Sequence, residues 1–137
     1  MVYILMPLVK KRRNKEIEYT VQEILKSKAK SRIYTYLLRK NGARAEEIIK
    51  GTKLHPSTVR ETLSKMYKSK LVYRKKIKND SIGKNPYLYY PIAPIELLKR
   101  YTHEIEDNLN KFANLSFSNN RNKKYKPVRI KIYDGVD

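Results

Sequence analysis

Residues 55–70, HPSTVRETLSKMYKSK, contain the helix on which the fold depends. Val59, Leu63 and Met66 recur at helical spacing, which is typical of a helix that buries one face. Pro56 suits the first helical position because its missing N–H would be unpaired there anyway. The other face would carry short hydroxyls and charged groups: Ser57, Thr58, Glu61, Ser64, Lys65 and Lys68. The sequence therefore predicts a helix from residue 56 to about residue 69 with one buried and one polar face.

Three further helices are predicted before this one. Apolar residues recur at helical spacing between residues 17 and 25 and again within KAKSRIYTYLLRK, residues 28–40. Asn-Gly at 41–42 is typical of the end of a helix. AEEIIK, residues 45–50, has acidic side chains in its first turn, where the helix dipole favours them. The order indicates a short helix, a tight turn and then the helix quoted above.

Four residues at three helix boundaries carry specific expectations. Ser27 can cap the helix that begins at residue 28. Gly51 is expected to end the short helix. Thr58 and Glu61 have the spacing of a capping box at the start of the quoted helix.

A basic hairpin is predicted after the quoted helix. LVYRKKIK (71–78) and YLYYPI (87–92) are rich in β-branched and aromatic residues, as strands are. Between them, NDSIGKNP (79–86) is typical of a turn. The basic side chains of the whole hairpin are Arg74, Lys75, Lys76, Lys78 and Lys84.

A long helix with an apolar seam is predicted next, over PIELLKRYTHEIEDNLNKFANL, residues 94–115. Its apolar positions follow the three-and-four spacing of a coiled coil, with one polar member. These positions are Ile95, Leu98, Thr102, Ile105, Leu109 and Phe112. The seam predicts that the chain forms a homodimer through this helix.

Both ends of the chain are predicted to contain a short strand next to a polar linker. MVYILMPLV (1–9) and VRIKIY (128–133) alternate as strands do, and SFSNNRNKKYK (116–126) is a polar linker. The run KKRRNK (10–15) is highly charged. The expected organisation is a strand and basic linker at 1–15, a DNA-binding domain at 16–92, a dimerisation helix at 93–115, and a linker with a terminal strand at 116–137.

The charge balance points to a polyanionic partner. Lys and Arg number 32 against 13 Asp and Glu, a formal net charge of +19 that opposes folding by self-repulsion. Nucleic acid is the first candidate and an anionic membrane surface the second. The apolar-then-basic start is the reverse of a signal peptide, and no apolar run is long enough to span a bilayer. We expect a cytoplasmic, nucleoid-associated protein without disulfides or cysteine-based sites, because the chain has no cysteine.

Residues 27–92 resemble the winged helix–turn–helix domains of prokaryotic transcription regulators. The similarity is greatest to the archaeal TrmB-like group, with the MarR-like group next. It is carried by SKAKSRIYTYLLRKNG, AEEIIKGTKLHPSTVRETLSKMYKSKLV and YLYYPIAPIELL. Many such units have glycine near position 53, where this chain has Lys53.

The resemblance implies an α+β fold, mainly α, in which the quoted helix enters the major groove of duplex DNA. It implies a groove-facing set of Ser57, Thr58, Arg60, Glu61, Ser64 and Lys65. Phosphate contacts would come from Lys68 and from the hairpin's Arg74, Lys76, Lys78 and Lys84. The chain has no room for the large sugar-sensing domain that TrmB-like regulators often add, so a small-molecule effector is not expected.

Glu61 has two interpretations. Its carboxylate could accept a hydrogen bond from a cytosine amine. It also lies four residues before Lys65, and an ion pair within the helix would be worth about 0.3–0.5 kcal/mol.

An enzyme is not predicted, nor any cofactor or metal. His55 and His103 fall in different elements, and the carboxylates of EIED (104–107) are typical of a solvated helix face. The chain has four glycines and no glycine-rich phosphate loop.

The alternative function is an RNA-binding or architectural nucleic-acid-binding protein. Twelve tyrosines could stack on unpaired bases. Packing within helices and strands is the better explanation for most of them. Membrane binding would need exposed large apolar residues on a basic helix, and those positions are assigned here to a core or a dimer seam.

Overall fold

The computed structural model describes residues 15–77, 87–118 and 128–132. The helices are α1 (residues 15–25), α2 (Lys28–Lys40), α3 (Ala45–Thr52), α4 (Pro56–Lys68) and α5 (Pro94–Ser118), and the strands are β1 (Val72–Lys76) and β2 (Tyr87–Pro91). The chain divides into two compact units, the first ending at Ile92 and the second beginning at Ala93.

The core of the first unit lies between α2, α3, α4 and the sheet. The three apolar residues predicted to face inward from α4, Val59, Leu63 and Met66, are all buried, which confirms the prediction. Ile33 and Leu37 of α2 are fully buried as well. Each such side chain stabilises the fold by roughly 1.5–3 kcal/mol. This packing fixes which face of α4 points outward.

The sheet consists of two antiparallel strands, and one further residue joins it through an isolated β-bridge. Arg74 of β1 lies opposite Tyr89 of β2. Ala43, in the turn between α2 and α3, donates its N–H to the Tyr89 carbonyl at 3.0 Å and accepts from the Tyr89 N–H at 2.8 Å. This bridge could not be predicted from the sequence, because a single residue has no periodicity. It ties the hairpin to the helices.

A buried tyrosine fastens the end of the first unit. The Tyr34 hydroxyl donates to the Ile92 carbonyl at 2.7 Å, and the Ile92 N–H donates to the Leu71 carbonyl at 3.0 Å. Burial raises the pKa of Tyr34 to about 12. No buried side-chain nitrogen or oxygen in the described residues lacks a hydrogen-bond partner.

The end of α3 differs from the prediction. The helix continues past Gly51 to Thr52, and Lys53 caps it with a positive φ of 58°. Gly51 serves packing instead, because a Cβ at this position would lie 2.0 Å from Cε2 of Tyr36. The predicted end of α2 is confirmed, since Asn41 caps it with a φ of 55°.

The start of α4 at Pro56 confirms the predicted first residue of the helix, but its cap differs from the capping-box spacing. His55 is the N-cap, and its Nδ1 accepts from the Ser57 N–H at 3.3 Å. The predicted capping box of Thr58 and Glu61 is therefore wrong, because both residues already lie inside the helix. The predicted Ser27 cap of α2 is confirmed, since its hydroxyl accepts from the Lys30 N–H at 3.2 Å.

Lysine occupies left-handed backbone at three helix ends. The φ angles are 54° at Lys26, 58° at Lys53 and 61° at Lys70. For a residue with a Cβ this conformation costs roughly 1–2 kcal/mol, and glycine usually takes it at a helix end. The chain stops α1, α3 and α4 with residues that carry a charge but lack glycine's conformational freedom.

The second unit consists of α5 and a return segment, residues 128–132. The Ile130 N–H donates to Oδ1 of Asn110 at 2.6 Å, and Nδ2 of Asn110 donates to the Ile130 carbonyl at 3.0 Å. The Ile132 N–H donates to Oε1 of Glu106. Side chains of α5 thus take the place of a neighbouring strand. Residues 128–132 do not form the strand predicted at 128–133, because no second strand lies beside them in the described part of the unit.

The predicted strand at 1–9 lies outside the described residues. Among the helices described here, none combines the length and apolarity needed to cross a membrane.

Candidate nucleic-acid interface

The outward face of α4 is polar along its whole length. Val59, Leu63 and Met66 hold the other face in the core. Six of the seven candidate contact residues on this helix are exposed: Ser57, Arg60, Glu61, Ser64, Lys65 and Lys68. Thr58 is half-buried, and the neighbouring Thr62 is buried. The helix therefore presents hydroxyls, one carboxylate and three cations on one continuous surface.

Two contacts organise this surface. Oε1 of Glu61 lies 3.4 Å from Nζ of Lys65, and both side chains are exposed. The ion pair predicted within the helix is thus present, at a distance typical of a solvated pair. At the start of the helix, Nδ1 of His55 lies 2.7 Å from the Ser57 hydroxyl. His55 therefore orients Ser57 as well as capping the helix.

Arg74 contacts two aromatic rings at the base of the hairpin. Its Cζ is 4.0 Å from the ring centroid of Tyr67 in α4 and 4.2 Å from that of Tyr87 in β2. Both distances are within the range of a cation–π contact. Arg74 is half-buried, and it has no carboxylate within ion-pair distance in the described part of the chain.

The rest of the hairpin is described in part. Lys76 is exposed on β1, while Lys78 and Lys84 lie outside the described residues. On the opposite face of the sheet, Tyr73 and Tyr90 stack with ring centroids 5.2 Å apart. The sequence showed only that tyrosines were abundant here, because the stacking partner comes from the other strand.

The predicted seam on α5 remains largely uncovered. Ile95 is 54% exposed and Phe112 71% exposed, and Leu98 and Leu109 are exposed too. Thr102 and Ile105 are half-buried. A 25-residue helix with so many large apolar side chains in water has a surface that another apolar surface can cover.

The two histidines do not join a metal-binding cluster in the described part of the chain. No group of three or more His, Asp and Glu residues there could hold a metal ion. His103 pairs with Asp107 one turn away on α5, with Nε2 3.8 Å from Oδ2.

The arrangement of three helices, a hairpin and an outward-facing α4 matches a known family. The model of the family described as "Sugar-specific transcriptional regulator TrmB" matches residues 25–95. The chain belongs to the TrmB family. The resemblance predicted from the sequence is therefore confirmed, and the matched residues lie almost wholly within the first unit of the fold.

Two solved structures are similar to this chain at low sequence identity. One is a possible transcriptional regulator from Methanosarcina mazei Go1, with a TM-score of 0.59 and 19% identity; the match covers 76% of this chain and 89% of that one. Another is a mutant of MepR from S. aureus, with a TM-score of 0.46 and 14% identity over 84% of each chain. The comparison with curated proteins found no match.

The chain is therefore a winged-helix protein in a family of transcription regulators. The predicted fold class, a mainly helical α+β winged helix with a long C-terminal helix, is confirmed.

Proposed function

We propose that this chain regulates transcription by binding duplex DNA, with α4 in the major groove. The observation that carries the proposal is the two-sided character of α4. Val59, Leu63 and Met66 anchor one face in the core, while the opposite face presents hydroxyls and cations without covering side chains. An α-helix fits the major groove, and a groove-facing helix needs this division.

The exposed residues of α4 divide by chemistry into two groups. Arg60 can donate two hydrogen bonds to a guanine, and the hydroxyls of Ser57 and Ser64 discriminate bases weakly. Lys65 and Lys68 are point charges suited to phosphates, which carry no sequence information. This composition favours modest direct base readout, with DNA shape and flexibility contributing the remainder.

The hairpin supplies the second contact. Lys76 is exposed at the end of β1, and Arg74 is half-buried against the rings of Tyr67 and Tyr87, where its guanidinium still has unused donors. Together with Lys78 and Lys84, these residues would hold the backbone or the minor groove beside the site of α4. The net charge of +19 provides long-range attraction to the same polyanion.

The proposal includes a homodimer through α5. Ile95, Leu98, Leu109 and Phe112 are exposed at the spacing of a coiled-coil seam, and a second copy of α5 would cover them. A two-fold dimer would present two copies of α4. Its binding site would then be an inverted repeat with half-sites about 34–36 Å apart.

The first test is selection of bound duplexes from a random pool, followed by titration of the selected duplex at several salt concentrations. We expect an enriched inverted repeat, and an affinity whose logarithm falls with the logarithm of salt by about 0.9 per phosphate contact. A matched single strand and a structured RNA are the competing ligands. Tighter binding of either of them, or a flat salt response with the duplex, contradicts the proposal and favours the RNA-binding alternative.

A further inference from the structure

Three exposed lysines at helix ends have a left-handed backbone conformation that packing does not explain. Lys26, Lys53 and Lys70 have φ angles of 54°, 58° and 61°, and all three are exposed. Glycine takes this conformation without a steric cost, and it is the residue that usually follows a helix in this way. A lysine here retains the strain of its Cβ, so its side chain must contribute something that glycine lacks.

Two of these lysines flank α4. Lys53 lies two residues before the His55 N-cap, and Lys70 lies two residues after the last helical residue, Lys68. Neither has a carboxylate within ion-pair distance in the described part of the chain. Both ammonium groups are therefore available to an anion from outside those residues.

The length of α4 lets residues at its two ends reach the two backbones that border a groove. Thirteen residues of helix span about 20 Å. The major groove is about 12 Å wide. A helix of this length that lies in the groove at an angle to its direction therefore has one end near each edge, where the two sugar-phosphate backbones run.

We propose that Lys53 and Lys70 hold DNA phosphates at the two ends of α4, and that lysine is kept at these strained positions for its charge. The inference rests on the proposed function. A lysine ammonium is a compact cation on a flexible stem, which suits a phosphate oxygen better than a base edge. The two contacts would fix the position of α4 in the groove, and they would not contribute to sequence specificity.

The main alternative is local. A cation near the C-terminus of a helix is favoured by the helix dipole and by the free carbonyls, so lysine could stabilise each helix end by itself. Lys26 ends α1 in the same conformation, outside the α3–α4 pair. It shares the local effect with Lys53 and Lys70 but not the position beside α4, which makes it the matched control.

The experiment compares K53G, K70G and K26G by thermal unfolding and by titration of a labelled duplex across salt. We expect all three variants to unfold at or above the wild-type Tm, since glycine relieves the left-handed strain. K53G and K70G should each lose about tenfold in affinity near 0.1 M salt and shallow the salt slope by about 0.9, as expected for one phosphate contact. K26G should keep the wild-type affinity and slope.

Several results would overturn the inference. Wild-type slopes in K53G and K70G would show that no phosphate contact was lost, and an equal loss in K26G would show a general charge effect. Unfolding below the wild-type Tm would show that lysine is the locally preferred residue. K53Q and K70Q keep an unbranched side chain without the charge, so they must reproduce the binding loss; wild-type binding by these variants would also refute the proposal. If the wild-type protein shows no salt-dependent duplex binding, the proposed function itself is refuted. The salt titration of the wild-type protein tests that point separately from the variants.

Discussion

The Glu61 carboxylate lies 3.4 Å from Nζ of Lys65, one turn along the exposed face of α4. In the proposed complex this carboxylate partly neutralises a cation that would otherwise be fully available to DNA. Its contribution to stability is small, because an exposed pair of this kind is worth about 0.3–0.5 kcal/mol. Removing its charge should therefore affect DNA binding more than folding.

We expect E61Q to change stability by less than about 0.5 kcal/mol and to tighten binding to all duplexes by about fivefold. A unit charge about 4 Å from another is worth ~1 kcal/mol in water, which sets this scale. E23Q, on the exposed side of α1, makes the same charge change away from α4 and should leave affinity unaltered. Weaker binding by E61Q, confined to sites with cytosine at one position, would instead mean that Glu61 reads a base.

The two cation–π contacts of Arg74 give it a structural and an electrostatic role that substitutions can separate. R74A should lower stability by about 1–2 kcal/mol, since each exposed cation–π contact is worth about 0.5–1 kcal/mol. It should also shallow the salt slope by about 0.9. R74K keeps the charge but loses the planar group, so stability should fall while the slope is retained.

The control for Arg74 is R39A, which removes the same charge from the exposed end of α2. It should preserve both stability and slope. If R74A unfolds more easily yet keeps the wild-type slope, Arg74 packs against the rings without touching DNA, and its assignment to the interface is wrong.

The sequence predicted α4 well because burial on a helix repeats every three to four residues. Val59, Leu63 and Met66 satisfy that pattern, so both the helix and its outward face follow from spacing alone. The environment of Arg74 could not be predicted in this way. Its two ring partners, Tyr67 and Tyr87, come from α4 and β2, and only tertiary packing brings them together.

The helix ends were harder to predict because the expected residue types are absent. His55 caps α4, although serine, threonine, asparagine and aspartate are the usual caps. Thr58 and Glu61 have the spacing of a capping box but lie inside the helix. Gly51 was expected to stop α3, but its missing side chain makes room for the Tyr36 ring. The residue that stops α3 is Lys53, which no composition rule would select.

The buried hydroxyl of Tyr34 predicts a specific loss of stability in alkali. Burial raises its pKa from 10.0 to about 12, so the unfolded chain loses this proton first as pH rises. Between pH 10 and about 12 the unfolded state binds fewer protons than the folded state, and stability must fall by up to about 1.4 kcal/mol per pH unit. Below pH 10 this group contributes no pH dependence.

Y34F should remove that alkaline loss and cost about 1–3 kcal/mol at neutral pH. The cost arises because the Ile92 carbonyl loses the donor that lies 2.7 Å away. Y19F is the control, since Tyr19 is 67% exposed and should change neither quantity. Urea unfolding at neutral pH and across the alkaline range measures both; an alkaline loss that persists in Y34F would assign it to other tyrosines.

The exposed seam of α5 predicts a dimer that two substitutions should separate. Leu109 and Phe112 are exposed within their own unit, so L109D with F112D should leave the fold of each chain intact. Burying each side chain is worth roughly 1.5–3 kcal/mol, and losing both should weaken the dimer by more than ~100-fold. N108D with N114D, on exposed positions outside the seam, makes the same change in charge, so it is the matched control and should remain dimeric. Sedimentation at tens of micromolar should show a wild-type dimer and a folded double-aspartate monomer that binds an inverted repeat much more weakly. A monomeric wild type, or a double-aspartate variant that stays dimeric, would exclude α5 as the interface and with it the inverted-repeat geometry that we propose for the DNA site.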